Sequence, residues 1–170
     1  ATFDTDDVFK AASFTQSAGS VLTQFDGAVT LTGAFDFTGE ALTFNAALSS
    51  GGKVDIANAG IFTTAVAAGI TSTGAFKLSG DGANTLAGNI TTTAGSITLK
   101  AASLASDITI DTNASGFIRL REVNSTLGQV SGLTLIAGNK DIYFGQAVGA
   151  VQRLGAVKII SAEDVSVSNA

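Results

Sequence analysis

"ITTTAGSITLKAASLASDITIDTNASGFIRL", Ile90 to Leu120, contains no proline and no histidine, and repeats one device: two apolar residues flanking a single other residue. Ile97/Leu99, Ile108/Ile110 and Ile118/Leu120 enclose Thr98, Thr109 and Arg119. Successive strand residues point to opposite faces, so this alternation marks short strands with one face buried. Gly, Ala, Ser and Asn fill the gaps and fit corners; Asn113, Asn124 and Asn139 are expected there because Asn tolerates left-handed backbone, as Gly does more readily.

The device extends in both directions. It recurs at Val29/Leu31, Phe35/Phe37, Leu42/Phe44, Val54/Ile56 and Phe76/Leu78, then at Leu133/Leu135, Ile142/Phe144, Val157/Ile159 and Val165/Val167. A longer period lies over it. Phe76, Ile97, Ile118, Ile142 and Val165 are spaced by 21, 21, 24 and 23 residues, and Ile108, Leu133 and Val157 by 25 and 24. Ile70 and Ile90 extend the second series backwards, placing Thr71, Thr91, Thr109 and Thr134 at one outward position. A unit of about 20–25 residues with two or three short strands is one coil of a β-solenoid, whose apolar side chains are buried only when coils stack. The expected fold is all-β, a single-stranded parallel β-solenoid. The alternative is an antiparallel β-sandwich, suggested by the close spacing in "LTGAFDFTGEALTF". Few Asn-Gly or Asp-Gly hairpin turns support it. Residues 41–170 are assigned to the solenoid repeats and 1–40 to an N-terminal cap or irregular first coils, with a turn or two of helix expected in "DTDDVFKAASFTQSAG" behind Asp4.

Composition narrows the chemistry. The 170 residues suit one core, and 45% hydrophobic against 14% charged residues argues against disorder. No apolar run approaches the roughly 18 residues of a membrane helix, so no membrane insertion is expected. A net charge of −5 and nine scattered Lys and Arg offer no basic patch for nucleic acid. There is no His, Cys, Met, Trp or Pro, which removes the commonest general base, the thiol nucleophile and the usual metal ligands. The expectation is no enzyme, no cofactor and no metal. The opening ATFDTDD carries no Met and no basic-then-apolar leader, as expected of a mature form or excised segment.

The series "GSITLKAASLASDITIDTNASGFIRL", with "GLTLIAG", "DIYFG", "LGAVKIISA" and "DVSVSN" after it, resembles the repeats of very large bacterial surface and secreted proteins. These are the right-handed β-helix proteins of the filamentous haemagglutinin and autotransporter-passenger kind. The resemblance runs from about Leu42 to Asn169. It implies an extracellular or cell-surface fibre or adhesin made within a longer polypeptide, and it carries no catalytic residues across.

Several side-chain groups invite a chemical reading. Paired carboxylates could serve a glycosidase or lyase, and Asp107 with Asp111, Glu163 with Asp164, and Asp4 with Asp6 and Asp7 are the candidates. Asp107 and Asp111 flank one strand and read more simply as corner residues. The acidic "DTDD" and the fragment "GDGAN" (Gly80–Asn84) are the possible calcium ligands, without the glycine–aspartate nonapeptide of calcium-binding β-rolls. Arg119 and Arg121 point outward together, beside Glu122, and read as surface charge pairing worth about 1 kcal/mol or less. The sharpest candidate is an outward threonine face of Thr71, Thr73, Thr91, Thr93, Thr109 and Thr134, suited to ice or a glycan. Threonine is also an ordinary exposed strand former. The expected function is a structural or adhesive fibre that meets neighbouring copies or adjacent repeats through the solenoid ends, with a surface glycan or receptor as a further partner. "EDVSVSNA" reads as a coil still in progress.

Overall fold

The computed structural model describes residues 3–19 and 21–168. The chain winds into a β-solenoid of about 8 turns, whose short strands stack on three faces from turn to turn. The first coil is β1 (Phe3–Thr5), β2 (Phe9–Ala11) and β3 (Phe14–Gln16); the second is β4 (Leu22–Phe25), β5 (Val29–Leu31) and β6 (Phe35–Gly39). The third and fourth are β7 (Ala41–Phe44), β8 (Leu48–Ser50), β9 (Val54–Asn58), β10 (Ile61–Thr64), β11 (Ile70–Ser72) and β12 (Phe76–Leu78). The fifth brings β13 (Ala83–Leu86), β14 (Ile90–Thr92) and the start of β15 (Ile97–Leu104). The rest of β15, then β16 (Ile108–Asp111) and the start of β17 (Ile118–Ser125), make the sixth. The remainder of β17, β18 (Leu133–Ile136) and β19 (Ile142–Phe144) form the seventh. A bridge at Val148, then β20 (Val157–Ser161) and β21 (Val165–Val167), complete the eighth.

Every pairing among these strands is parallel, which excludes the antiparallel sandwich. All twelve apolar pairs read from the sequence lie in strands. The residues expected to hold a helical turn form β1, β2 and β3 instead, in register with the next coil through Phe9↔Val29 and Phe14↔Phe35. Their apolar spacing suits strands, and stacking on the second coil rewards it.

Alternation decides what is buried. β5, β8, β11 and β12 each bury their outer two residues and expose the middle one. The first coils fill the interior with phenylalanine: Phe14 stacks on Phe35 at 4.9 Å and Phe25 on Phe44 at 5.2 Å, close to the spacing of adjacent strands. Later coils use Ile and Leu at the same positions. In β15 two successive outward residues, Lys100 and Ala101, carry the strand round a corner, after which Ala102 and Leu104 point inward.

Not every inward residue is apolar. Ser50, Ser72 and Thr92 are buried and stack over one another. The Ser50 Oγ donates to the Gly33 carbonyl at 2.8 Å, Ser72 to Gly74 at 2.8 Å and Thr92 to Gly95 at 2.5 Å. These hydroxyls pair corner carbonyls that would otherwise be desolvated without a partner.

Left-handed corners are fewer than the sequence suggests. Asn113 has φ 49° with Ala114 at 58°, whereas Asn124 is a buried residue of β17 and Asn139 does not adopt positive φ. Most corner glycines are there for close approach. A Cβ on Gly82 would lie 1.7 Å from the Gly60 carbonyl oxygen of the coil before.

Candidate functional site

The outward positions of the second face carry the threonines. Register stacks Lys10, Thr30, Ser49, Thr71 and Thr91 in one column, and the next member is Asp111. Ile90 pairs with Ile110, not Ile108. Thr109 therefore neighbours Thr134 two positions away, and the six-residue face divides. Thr73 and Thr93 follow the strand ends of β11 and β14, their amides bonded to Ser50 and Ser72 carbonyls, so Thr71/Thr73 and Thr91/Thr93 do sit as stacked pairs. Thr30 and Thr32, which sequence reasoning passed over, form a similar exposed pair, separated from these by Ser49 and Gly51.

The acidic candidates serve the backbone. Asp107 Oδ1 accepts the Gly132 amide at 2.6 Å, and Asp111 Oδ1 accepts the Asn113 amide at 2.7 Å, each fastening an end of β16. Glu163 and Asp164 sit exposed between β20 and β21. At the other end Asp4 and Asp6 converge with Asp26, not Asp7, their carboxylate oxygens within 4.8 Å of one another. Partial loss of solvent, then the charges of Asp26 and Asp6, push the Asp4 carboxyl above its ordinary value. Hydrogen bonds from Asn45 and Gln24 hold Asp26 below its own. Among the described residues these three carboxylates are the groups best placed for a hard cation, which wants six or more oxygens. Gly80 and Gly82 of "GDGAN" lie against the Asn58 backbone and side chain as a close corner.

The third face carries a graded row of cations. Lys53 pairs with Asp36 at 2.5 Å and with Asp55 at 3.9 Å, Lys77 with Asp55 at 3.7 Å, and Lys100 with Asp81. The hydrogen bond that Lys53 donates to Asp36 raises its ammonium above its usual value, and the bond from Lys100 lowers Asp81. Then the pattern changes. Arg119 lies 5.2 Å from the Phe117 ring centroid and 5.3 Å from that of Tyr143, the two rings edge-to-face at 6.0 Å. The Tyr143 hydroxyl donates to Asp141 Oδ2 at 2.5 Å, a bond that raises its pKa. The aromatic pair escaped sequence reasoning although Phe117 was legible: it has the outward parity of Arg119 beside inward Ile118 and Leu120.

The last coil exposes what earlier coils bury. Val157 and Ile159 remain 45% and 39% accessible, although their register partners Leu133 and Leu135 are enclosed. Val165 and Val167 are likewise exposed over Ile142 and Phe144. Here the interior opens into a mouth of about 710 Å³ lined by Phe144, Val148, Val157, Val167 and Glu122.

Compared with known proteins, the chain matches no family model, no curated protein and no solved structure. The molecule is a β-solenoid repeat protein; the haemagglutinin and autotransporter likeness stays one of repeat texture.

Proposed function

We propose that the chain is a structural, adhesive unit of an extracellular or cell-surface fibre. Its final coil continues into a further coil, supplied by a longer polypeptide or by a second copy. One observation carries this reading. Val157, Ile159, Val165 and Val167 project in register with a buried row, around an open apolar mouth, beside the outer strands β20 and β21. Strand edges of this kind template further pairing unless they are covered. A coil laid on them would enclose these side chains as Leu133, Leu135, Ile142 and Phe144 are enclosed. Such an interface joins unlike ends, so it propagates instead of closing. With eight turns at about 4.8 Å, each unit would add roughly 38 Å to a rod. The surface setting and the adhesive role draw their support from the repeat resemblance.

The test is association of the purified chain. Sedimentation should show growth with concentration, electron microscopy should show rods, and Ile159→Asp should abolish both while preserving the β-rich circular dichroism. A strict monomer at every concentration, with slow amide exchange throughout β20 and β21, would contradict the proposal.

A further inference from the structure

Phe117 breaks a rule that the other described phenylalanines keep. The other phenylalanine side chains described here belong to the core or pack against it. Phe117 and Tyr143 instead lie half-buried on the outside of the third face, edge-to-face, with the exposed Arg119 guanidinium over both. Arg121, two residues on, is exposed and occupies the position next to Lys100 in the coil before.

Charge pairing distinguishes these arginines from their neighbours. Lys53, Lys77 and Lys100 on the same face each have a carboxylate partner. Among the described residues neither Arg119 nor Arg121 has one; of the two acids near Tyr143, Asp141 accepts its hydroxyl and Asp164 lies close enough for its charge to be felt there. Two guanidinium forks are thus available in a chain of net charge −5, at the one outward place with aromatic rings among the described residues. A guanidinium fork matches a carboxylate through two parallel hydrogen bonds. An aromatic ring with a polar tip offers an apolar face to a flat C–H surface and a hydroxyl to its rim.

We propose that Phe117, Arg119, Arg121 and Tyr143 bind a carboxylated sugar unit of an acidic polysaccharide. The sugar carboxylate sits on the arginines, and the pyranose C–H face lies against the exposed ring surface. An acidic peptide would satisfy the arginines but supplies no such flat face to the rings. The patch looks outward from the seam of the sixth and seventh coils, so binding there neither requires nor prevents end-to-end stacking.

Tyr143 is the only tyrosine and tryptophan is absent, so intrinsic emission reports this patch alone. The probe is tetragalacturonate, compared with its methyl ester, which keeps the ring and removes the charge, and with polyglutamate. Tetragalacturonate should change Tyr143 emission saturably, with the ester and polyglutamate each at least about tenfold weaker. Arg119→Lys, which keeps the charge and loses the fork, should weaken binding about tenfold, and Arg121→Ala should also weaken it. Both variants should keep the wild-type circular dichroism, since the side chains are exposed. The proposal is overturned if no saturable change occurs at millimolar probe, if the ester or polyglutamate binds as tightly, or if neither arginine variant alters affinity.

Discussion

Phe35→Ala is the substitution that bears most directly on how this molecule holds together. The Phe35 ring is fully buried, stacked at 4.9 Å on Phe14 in the first coil, 5.4 Å from Phe44 in the third and 6.0 Å from Phe25 in its own. Removing it takes away the burial of a whole ring and leaves a cavity between three stacked coils, a change that costs about 3–5 kcal/mol in well-packed cores. Loss of three aromatic contacts places the expected value near the upper part of that range, about 4 kcal/mol. Phe35→Leu, which refills most of the volume, should cost less than about 1.5 kcal/mol. In a solenoid each coil touches only its neighbours, so the damage should be local. Hydrogen exchange should therefore accelerate in β3, β5, β6 and β9 and stay near wild type in β16 to β19, while urea denaturation gives the total loss. A loss under about 1 kcal/mol, or equal acceleration at both ends of the rod, would refute the reasoning.

Two further outcomes follow from corner geometry and from the acidic end. Gly82→Ala should destabilise by about 3 kcal/mol, because its Cβ meets the Gly60 carbonyl oxygen at 1.7 Å. Gly128→Ala should cost only about 1 kcal/mol, since its φ of 81° strains an alanine but nothing lies within 4 Å. Urea midpoints in the reverse order would show that backbone hand, not coil-to-coil approach, governs these corners. Asp4 and Asp26 should titrate apart in a carbon-detected NMR experiment, Asp4 above its ordinary 3.8 and Asp26 below it. Asp26 then contributes stability above its unfolded pKa that is lost as pH falls through its lowered folded value. Asp4 has the opposite sign: its neutral-pH penalty disappears as pH falls through its raised folded value. Asp4→Asn should stabilise at pH 7 and have no such effect near about pH 3; destabilisation at pH 7 would reverse the assignment.

Period-2 burial is a local property, and the twelve apolar pairs accordingly read straight off the chain. Strands whose inward positions mix an apolar residue with a small polar one were harder. Leu48 with Ser50, Phe62 with Thr64, and Asn84 with Leu86 lack the apolar signature. The Ser50 hydroxyl and the Asn84 side-chain NH2 find partners in backbone that only the wound chain brings near, the Gly33 carbonyl and the Ala101 carbonyl, each at 2.8 Å. The aromatic–arginine patch needed stacking as well: Arg119 meets Tyr143 because β17 and β19 pair at that register, 24 residues apart.

The sequence by itself determined that apolar residues alternate in short runs at a coil-length spacing, and hence that the chain is all-β; the choice of a stacked solenoid over a sandwich came with the parallel pairing. The three-dimensional winding alone decided the register between coils. Ile108 and Ile110 are both inward and both isoleucine, so sliding β16 by two residues against Ile90 keeps every side chain on its proper face. A one-residue slip would turn the core outward, but a two-residue slip preserves parity, and the choice falls to corner lengths and close backbone contacts. That choice set Asp111 beside Thr91 and Thr109 beside Thr134, and with it which outward side chains share a surface.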